Sequence, residues 1–199
     1  MTNKKAIISV WDKTGIIKLA KFLYSQKFEI ISTGGTAKKI ENSGIPVTKV
    51  SNLTNQKEIM NGRVKTLHPN IFSGILVDRN NKSHIKDLKN INSSPIDLVI
   101  INLYPFQEEA INKKLDIEKS IEFIDIGGPS LLRAASKNYK FTIPLCRPEQ
   151  YSSFIESYKN NNGFFKDEER IKYATAVFKL TSKYDSLIAD YFNKNDSNK

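Results

Sequence analysis

Cysteine and histidine are scarce in this sequence, and long apolar runs are missing from it. The single cysteine, Cys146, has no partner for an internal disulfide, and two histidines are too few for the usual structural zinc sites. Apolar stretches stay well short of the roughly 20 residues that cross a membrane. The first residues lead directly into a strand-like segment instead of a signal peptide. We therefore expect a cytoplasmic chain with no membrane partner and no metal site, and Cys146 at the core or its boundary.

Acidic residues are also in the minority. The chain has 31 Lys and Arg against 21 Asp and Glu, a formal net charge of +10. Such an excess can indicate nucleic-acid or phosphorylated partners. The lysines are scattered among asparagines and isoleucines, however, with no arginine-rich arm and no basic stripe interleaved with aromatic residues. We expect a solvated basic surface and a site for one phosphate, but no nucleic-acid binding.

Apolar segments of strand type alternate with segments of helical periodicity. Strands are predicted at residues 4–10, 28–32, 47–50, 98–103 and 141–145, and helices at 16–23, 116–123, 150–158 and 166–191. This order predicts an α/β fold: a doubly wound, mainly parallel sheet with helices on both faces, where ligands bind beyond the carboxyl ends of the strands. We expect one domain over residues 1–192, with a polar tail or the start of a linker at 193–199.

A glycine pair follows the second predicted strand. Gly34 and Gly35 are flanked by Thr33 and Thr36 at the start of a helix, where close backbone approach and free N–H groups suit a phosphate. A plain tight turn is the alternative. The end of the neighbouring first strand carries further polar residues that can reach the same phosphate, namely Ser9, Asp12, Lys13 and Thr14.

Two more segments carry candidate polar groups. Arg63 and Lys65 alternate with Val64, so an extended chain would direct both cations to one side, although a lone pair of this kind is usually an exposed basic edge. The strongest strand signal ends at Asn102 and Tyr104. A tyrosine there can exchange a proton, but one before proline often only packs its ring.

The segment 124–138 gives the strongest chemical signal. Asp125 precedes two glycines and Pro129, a sequence typical of a helix start, so its carboxylate should stay ionised at the positive end of the helix. Lys137 follows a Leu/Ala-rich stretch. The alternative is that Asp125 only caps a core helix.

Taken together, five segments closely resemble the IMP cyclohydrolase domain of the bifunctional purine biosynthesis family, from about residue 4 to about residue 191. They are Ser-Val-Trp-Asp-Lys-Thr-Gly at 9–15, Ser-Thr-Gly-Gly-Thr-Ala at 32–37, Gly-Arg-Val-Lys-Thr-Leu-His-Pro at 62–69, Asn-Leu-Tyr-Pro-Phe at 102–106 and Ile-Asp-Ile-Gly-Gly-Pro-Ser-Leu-Leu-Arg-Ala-Ala-Ser-Lys-Asn at 124–138. The resemblance implies a methylglyoxal-synthase-like fold and a homodimer. It also implies closure of 5-formamidoimidazole-4-carboxamide ribotide (FAICAR) to IMP with loss of water, without any cofactor.

The resemblance also implies roles for particular residues. The catalytic set is Lys65, Tyr104, Asp125 and Lys137. The substrate-binding set is Ser9, Asp12, Lys13, Thr14, Thr33, Gly34, Gly35, Thr36, Arg63, Thr66, Asn102, Ile126, Gly127 and Gly128. One difficulty is geometric, because an unbroken helix from Pro129 to Lys137 would rise about 12 Å, so we expect a short helix or a chain that folds back.

The sequence also departs from the family. Trp11 is bulky where a small polar residue is expected, and residues 143–148 are less apolar than expected; we predict that neither touches the chemistry. The family continues into a folate-dependent AICAR transformylase domain that is absent here, so we assign no formyl transfer. Three alternatives stay open: a methylglyoxal synthase, a nucleotide-binding regulatory domain like that of carbamoyl phosphate synthetase, and a nucleic-acid module.

Overall fold

A five-stranded sheet organises the chain. The computed structural model describes residues 4–196, and all strand pairs of the sheet are parallel, in the order β3-β2-β1-β4-β5. This is the doubly wound α/β fold that the sequence predicts. The strands are β1 (Lys5–Val10), β2 (Glu29–Ser32), β3 (Thr48–Lys49), β4 (Leu98–Asn102) and β5 (Ile143–Leu145).

Helices connect the strands and cover both faces of the sheet. They are α1 (Ile16–Ser25), α2 (Gly34–Glu41), α3 (Val50–Thr54), α4 (Pro69–Leu76), α5 (Lys82–Asn90), α6 (Ile117–Ser120), α7 (Gly127–Lys137), α8 (Gln150–Asn160) and α9 (Asp167–Asp196). Short helical turns occur at Met60–Gly62, Gln107–Ile111 and Ile121–Phe123.

Some element boundaries differ from the predicted ones. β3 keeps only two residues because Val50 already begins α3. α9 continues to Asp196, so residues 193–196 of the predicted polar tail are helical, while residues 197–199 lie outside the described residues. Although α9 is 30 residues long, neither it nor any other helix within residues 4–196 is apolar enough to span a membrane.

Alternating side chains of the strands form two apolar cores. On β1, Ile8 packs with α1 and α8 on one face, whereas Ile7 packs with α4, α7 and α9 on the other. On β4, Ile100 lies on the same face as Ile8, and Val99 lies on the same face as Ile7. Cys146 belongs to the second core and is almost fully buried, as predicted. Burial raises the pKa of its thiol to about 11.

The direction in which strands are added reverses next to β1. The chain moves from β1 outward through β2 and β3, then returns to the other side of β1 for β4 and β5. Such a switch point leaves a crevice beyond the carboxyl ends of the two central strands. Val10 and Asn102 are paired across these ends, so the loops that follow β1 and β4 border the crevice.

Candidate active site

An open cavity of about 660 Å³ lies at these strand ends, and all five segments singled out in the sequence contribute to it. It contains every predicted site residue except Asp12, Thr14 and Lys137. The predicted residues that line it are Ser9, Lys13, Thr33, Gly34, Gly35, Thr36, Arg63, Lys65, Thr66, Asn102, Tyr104, Asp125, Ile126, Gly127 and Gly128.

One end of the cavity is the start of α2. Thr33 is extended and precedes the helix, and the first intrahelical bond is donated by Ala37 to the Thr33 carbonyl at 3.2 Å. The preceding N–H groups of Gly34 and Gly35 therefore have no acceptor within the helix. Lys13 lies beside them, since a Cβ built on Gly35 would be 3.9 Å from the lysine Cε. Helix N–H groups next to an ammonium are suited to a phosphate dianion.

Thr36 has a structural role that the sequence did not reveal. Its hydroxyl accepts from the N–H of Val10 at 3.1 Å and donates to the carbonyl of Val10 at 3.0 Å. The side chain therefore ties the start of α2 to the end of β1, and only its backbone N–H remains for a ligand.

The side-chain amide of Asn102 holds the loop after β1 in place through three hydrogen bonds. Its Oδ1 accepts from the N–H groups of Trp11 (2.6 Å) and Asp12 (2.9 Å), and its Nδ2 donates to the Asp12 carbonyl at 2.8 Å. The amide thus fixes the loop that leads to Lys13. Asp12 and Thr14 themselves lie outside the cavity. The pKa of Asp12 is lowered first by the Thr14 hydroxyl and then by the Thr14 backbone N–H, which donates to the carboxylate at 2.8 Å. These contacts stabilise the loop before α1.

Asp125 lies where the loop enters α7. Its Oδ1 accepts from the Gly128 N–H at 2.8 Å, and its backbone N–H donates to the Tyr184 hydroxyl at 2.8 Å. Burial raises the pKa of Asp125, outweighing the backbone N–H groups of Gly128 and Tyr104, which favour the charged form. The sequence-based expectation considered the helix terminus alone; burial makes this carboxylate a stronger proton acceptor than an exposed aspartate.

Gly128 provides the space that Asp125 occupies. A Cβ at this position would lie 2.4 Å from the Asp125 Oδ2 and 3.0 Å from the Leu103 Cδ2. No other residue fits there without moving the carboxylate. This glycine is therefore needed for close packing and not for an unusual backbone angle.

The prediction of an extended segment for Arg63 and Lys65 was wrong. Arg63 has helical backbone angles (φ −64°, ψ −29°), because the turn at Met60–Gly62 reverses the chain and pairs Ile59 with Val64 in antiparallel fashion. Both cations nevertheless line the cavity. Each has an acidic partner: Arg63 is ion-paired with Glu122, and the Lys65 Nζ is 3.4 Å from Glu58.

Lys137 does not reach the cavity. α7 is unbroken from Gly127 to Lys137, which separates its ends by about 15 Å, and the Lys137 side chain is exposed. The fold-back that would have brought Lys137 to Asp125 does not occur. Of the four residues predicted to be catalytic, only Lys65, Tyr104 and Asp125 line the cavity.

Trp11, which we predicted to stay away from the chemistry, lies closer to the candidate site than expected. Trp11 lines the cavity and packs edge-to-face on Tyr104, with 5.0 Å between the ring centroids. The indole is 40% exposed and the phenol 38%. The bulky residue is thus part of the wall that carries a proposed catalytic side chain.

Two further residues of the site were not identified from the sequence. Glu122 lines the cavity and neutralises Arg63, and Tyr184 on α9 binds the backbone of Asp125. Neither has a local signal, because both act across about 60 residues of sequence. The tight turn before Arg63 did have a local sequence signal, since Asn61-Gly62 is a common turn dipeptide.

The described part of the chain contains no group of three or more His, Cys, Asp or Glu side chains placed to hold a metal ion. The polar groups of the cavity instead combine N–H donors and a lysine at one end with a carboxylate, a phenol and a second lysine. This arrangement can hold an anionic group while a proton is exchanged elsewhere on the same ligand.

Comparisons with known proteins agree with this geometry. The model of the MGS-like domain family matches residues 15–130, and that of the AICARFT/IMPCHase bienzyme family matches residues 135–199. The chain is 47% identical over 190 residues to the bifunctional purine biosynthesis protein PurH of Caldicellulosiruptor bescii and 50% identical over 188 residues to that of Thermoanaerobacter sp.. These alignments cover 96% and 94% of this chain but only 37% of each relative.

A solved structure is similar over almost the whole chain. The crystal structure of ForH superposes with a TM-score of 0.84 at 29% sequence identity, covering 96% of this chain and 97% of that one. The family match over residues 15–130 includes the start of α2 and the start of α7, which both border the cavity. The chain therefore belongs to the MGS-like domain family.

Proposed function

We propose that this chain is an IMP cyclohydrolase, which closes FAICAR to IMP with loss of water. The observation that carries the proposal is one cavity that joins an anion cradle at α2 to the buried carboxylate of Asp125, with Lys65 and Tyr104 beside it. The similarity to proteins named PurH over nearly the whole chain supports this substrate class, a purine ribotide.

The cradle binds the ribotide phosphate. The N–H groups at the start of α2 and the Lys13 ammonium compensate its charge, and Asn102 holds the loop that presents Lys13. Fixing the phosphate places the imidazole ring and its two substituents over the other end of the cavity. Because both reacting groups belong to one molecule, this orientation provides much of the rate.

Asp125 acts as the general base. The carboxamide nitrogen attacks the formyl carbon, a C–N bond forms, and the proton of that nitrogen passes to the Asp125 carboxylate. The formyl oxygen then carries negative charge. The backbone N–H groups of Ile126 and Gly127, at the N-terminal end of α7, stabilise it.

Dehydration completes the ring. The proton held by Asp125 passes to the oxygen and gives a carbinolamine. Its hydroxyl leaves as water with a proton from a lysine, and the resulting amine takes up the proton that a nitrogen of the new ring releases. In this proposal Lys65 is the lysine that supplies the proton, and Tyr104 orients the formyl group; both side chains line the cavity. We assign this role to Lys65 because Lys137, the other lysine of the predicted catalytic set, lies outside the cavity.

We further propose that the chain works without a metal or cofactor, in the cytoplasm, as a homodimer. Sedimentation velocity at micromolar concentration tests the last point, since a monomer alone would contradict it. No binding to nucleic acid is expected, and failure to retain the protein on DNA at physiological salt is the corresponding measurement.

The decisive experiment follows the ultraviolet absorbance change as FAICAR becomes IMP. The chain alone is expected to turn FAICAR over, and Lys65→Ala to reduce kcat by about 10²-fold or more. Lys57→Ala, which removes an exposed lysine nearby in sequence, is the matched control and should keep full activity. If the wild-type chain binds IMP but forms none from FAICAR, the cavity is a regulatory nucleotide site and the proposal is wrong.

A further inference from the structure

Trp11 stands out among the cavity residues because no role in the proposed reaction accounts for it. It is the only tryptophan of the chain, it is 40% exposed, and it lines the cavity next to Tyr104. Its edge-to-face contact with Tyr104, a proposed catalytic residue, is the observation that an account of Trp11 has to explain.

The backbone of Trp11 is held on both sides of the residue. Its N–H donates to the Asn102 Oδ1 at 2.6 Å, and its carbonyl accepts from the Lys13 Nζ at 3.0 Å. The first bond fixes the loop to the end of β4, and the second fixes it to the lysine of the phosphate cradle. The indole therefore projects from one of the best-anchored points of the loop.

Tyr104 is anchored differently. Its backbone N–H lies close enough to the Asp125 carboxyl to favour the charged form of that group, and Pro105 follows it directly. Within residues 4–196 its ring contacts one other aromatic ring, that of Trp11, edge-to-face at 5.0 Å and 67°. The backbone contacts thus fix the main-chain position of Tyr104, and the indole limits the orientations that its phenol ring can adopt.

We propose that Trp11 is a positioning residue for Tyr104: it holds the phenol in the orientation that the reaction uses and connects that orientation to the phosphate cradle. The inference rests on the proposed function for its kinetic part only. An edge-to-face aromatic pair is worth enough to set one side-chain rotamer over its alternatives. Loss of the indole releases the phenol, while the cradle and Asp125 stay in place.

The kinetic test is a double-mutant cycle. Trp11→Ala is expected to lower kcat about two- to tenfold with little change in KM, and Trp11→Phe, which keeps a ring at the same place, to recover most of the loss. In a Tyr104→Phe background, which already lacks the hydroxyl, Trp11→Ala should have almost no further effect on kcat. Equal losses in the two backgrounds would mean that Trp11 acts independently of Tyr104 and would overturn the inference.

A second readout does not require turnover. Fluorine NMR of protein labelled with 3-fluorotyrosine gives one signal for each of the eight tyrosines, and Tyr104→Phe identifies the Tyr104 signal. The ring current of the indole should shift this signal, and Trp11→Ala should move it by more than any other tyrosine signal. An unmoved Tyr104 signal contradicts the inference even if the chain makes no IMP, whereas absence of IMP with a moved signal contradicts only the proposed function.

Discussion

The raised pKa of Asp125 makes its carboxylate a better proton acceptor, but the same burial lowers the stability of the folded protein at neutral pH. The Asp125 carboxylate is partly buried beside Gly128, and this burial raises its pKa above the ordinary value of 3.8. The folded protein therefore binds this proton more tightly than the unfolded chain does. The resulting stabilisation is complete at pH values below 3.8 and is lost as the pH rises through the raised pKa, so at neutral pH the ionised Asp125 destabilises the fold.

Replacing Asp125 by asparagine should therefore separate activity from stability. We expect Asp125→Asn to lower kcat by about 10² to 10⁴-fold, because the proton acceptor is gone, while Tm at pH 7 stays the same or rises. The side-chain oxygen of asparagine still accepts from the Gly128 N–H. The ultraviolet assay and a thermal melt measure the two effects, and Asp87→Asn, at an exposed position on α5, should change neither. A clear fall in Tm would show that the charge of Asp125 supports the fold.

Gly128 gives a steric test of the same site. In Gly128→Ala the new methyl group would lie 2.4 Å from the Asp125 Oδ2, so the carboxylate must move. A displacement of about 1 Å in a reacting group costs about 10²-fold in rate, and we expect kcat to fall by about that factor.

The matched control for Gly128→Ala is Arg133→Ala, on the exposed side of the same helix. It should leave kcat within about twofold, because Arg133 contacts the Phe178 ring and not the cavity. Isothermal calorimetry with IMP completes the test: binding retained by Gly128→Ala, with kcat lost, assigns the effect to Asp125. Full activity in Gly128→Ala would mean that the position of this carboxylate is unimportant.

At the scale of secondary-structure elements, α9 supports the site by holding the backbone of Asp125. The Tyr184 hydroxyl accepts from the backbone N–H of Asp125 at 2.8 Å and donates to the Phe123 carbonyl at 3.3 Å. Burial raises the pKa of this phenol to about 12, so it stays protonated. The helix thus fixes the backbone of a residue 59 positions earlier in the sequence.

Tyr184→Phe removes this hydroxyl and keeps the packed ring. We expect a loss of about 1–3 kcal/mol in the free energy of unfolding and a severalfold lower kcat, because the Asp125 N–H loses its acceptor and the carboxylate its support. Tyr191→Phe is a closely matched control. It removes a buried hydroxyl from the same helix, one that bonds Ser120 at 2.8 Å, and neither Tyr191 nor Ser120 lines the cavity.

Urea denaturation and the ultraviolet assay compare the two variants. Similar stability losses with a lower kcat only in Tyr184→Phe would establish that α9 positions Asp125. If both variants lose kcat in the same proportion, the effect is one of general stability.

The sequence predicted those features of the fold and the site that rest on local signals. Apolar runs located the strands, and the glycines at 34–35 and 127–128 located two helix starts that border the cavity. Long-range packing decided the rest: the contact of Trp11 with Tyr104 and the support from Tyr184 join residues far apart in the chain. The position of Lys137 outside the cavity has a different reason, since the helix rise of 1.5 Å per residue already argued against a short distance between Lys137 and Asp125.

At the scale of the whole molecule, the two family models meet inside a structural element. One match ends at residue 130 and the other begins at residue 135, and both points lie within α7. β5, from the second segment, completes the sheet beside β4, and Val177 of α9 is fully buried in the core that also contains Val99 of β4, from the first segment. The two segments therefore form one folding unit, and the site depends on both.

This unity predicts a single unfolding transition. The fluorescence of Trp11 reports the cavity, and circular dichroism at 222 nm reports the helices, so the two probes should give coincident urea curves. Val177→Ala, in the second segment, should destabilise by about 1–3 kcal/mol and shift both curves equally, although it lies outside the cavity. Lys179→Ala, at an exposed position on the same helix, should shift neither. If Val177→Ala moves the dichroism curve but leaves the Trp11 curve in place, the two segments unfold separately and the cavity does not require α9.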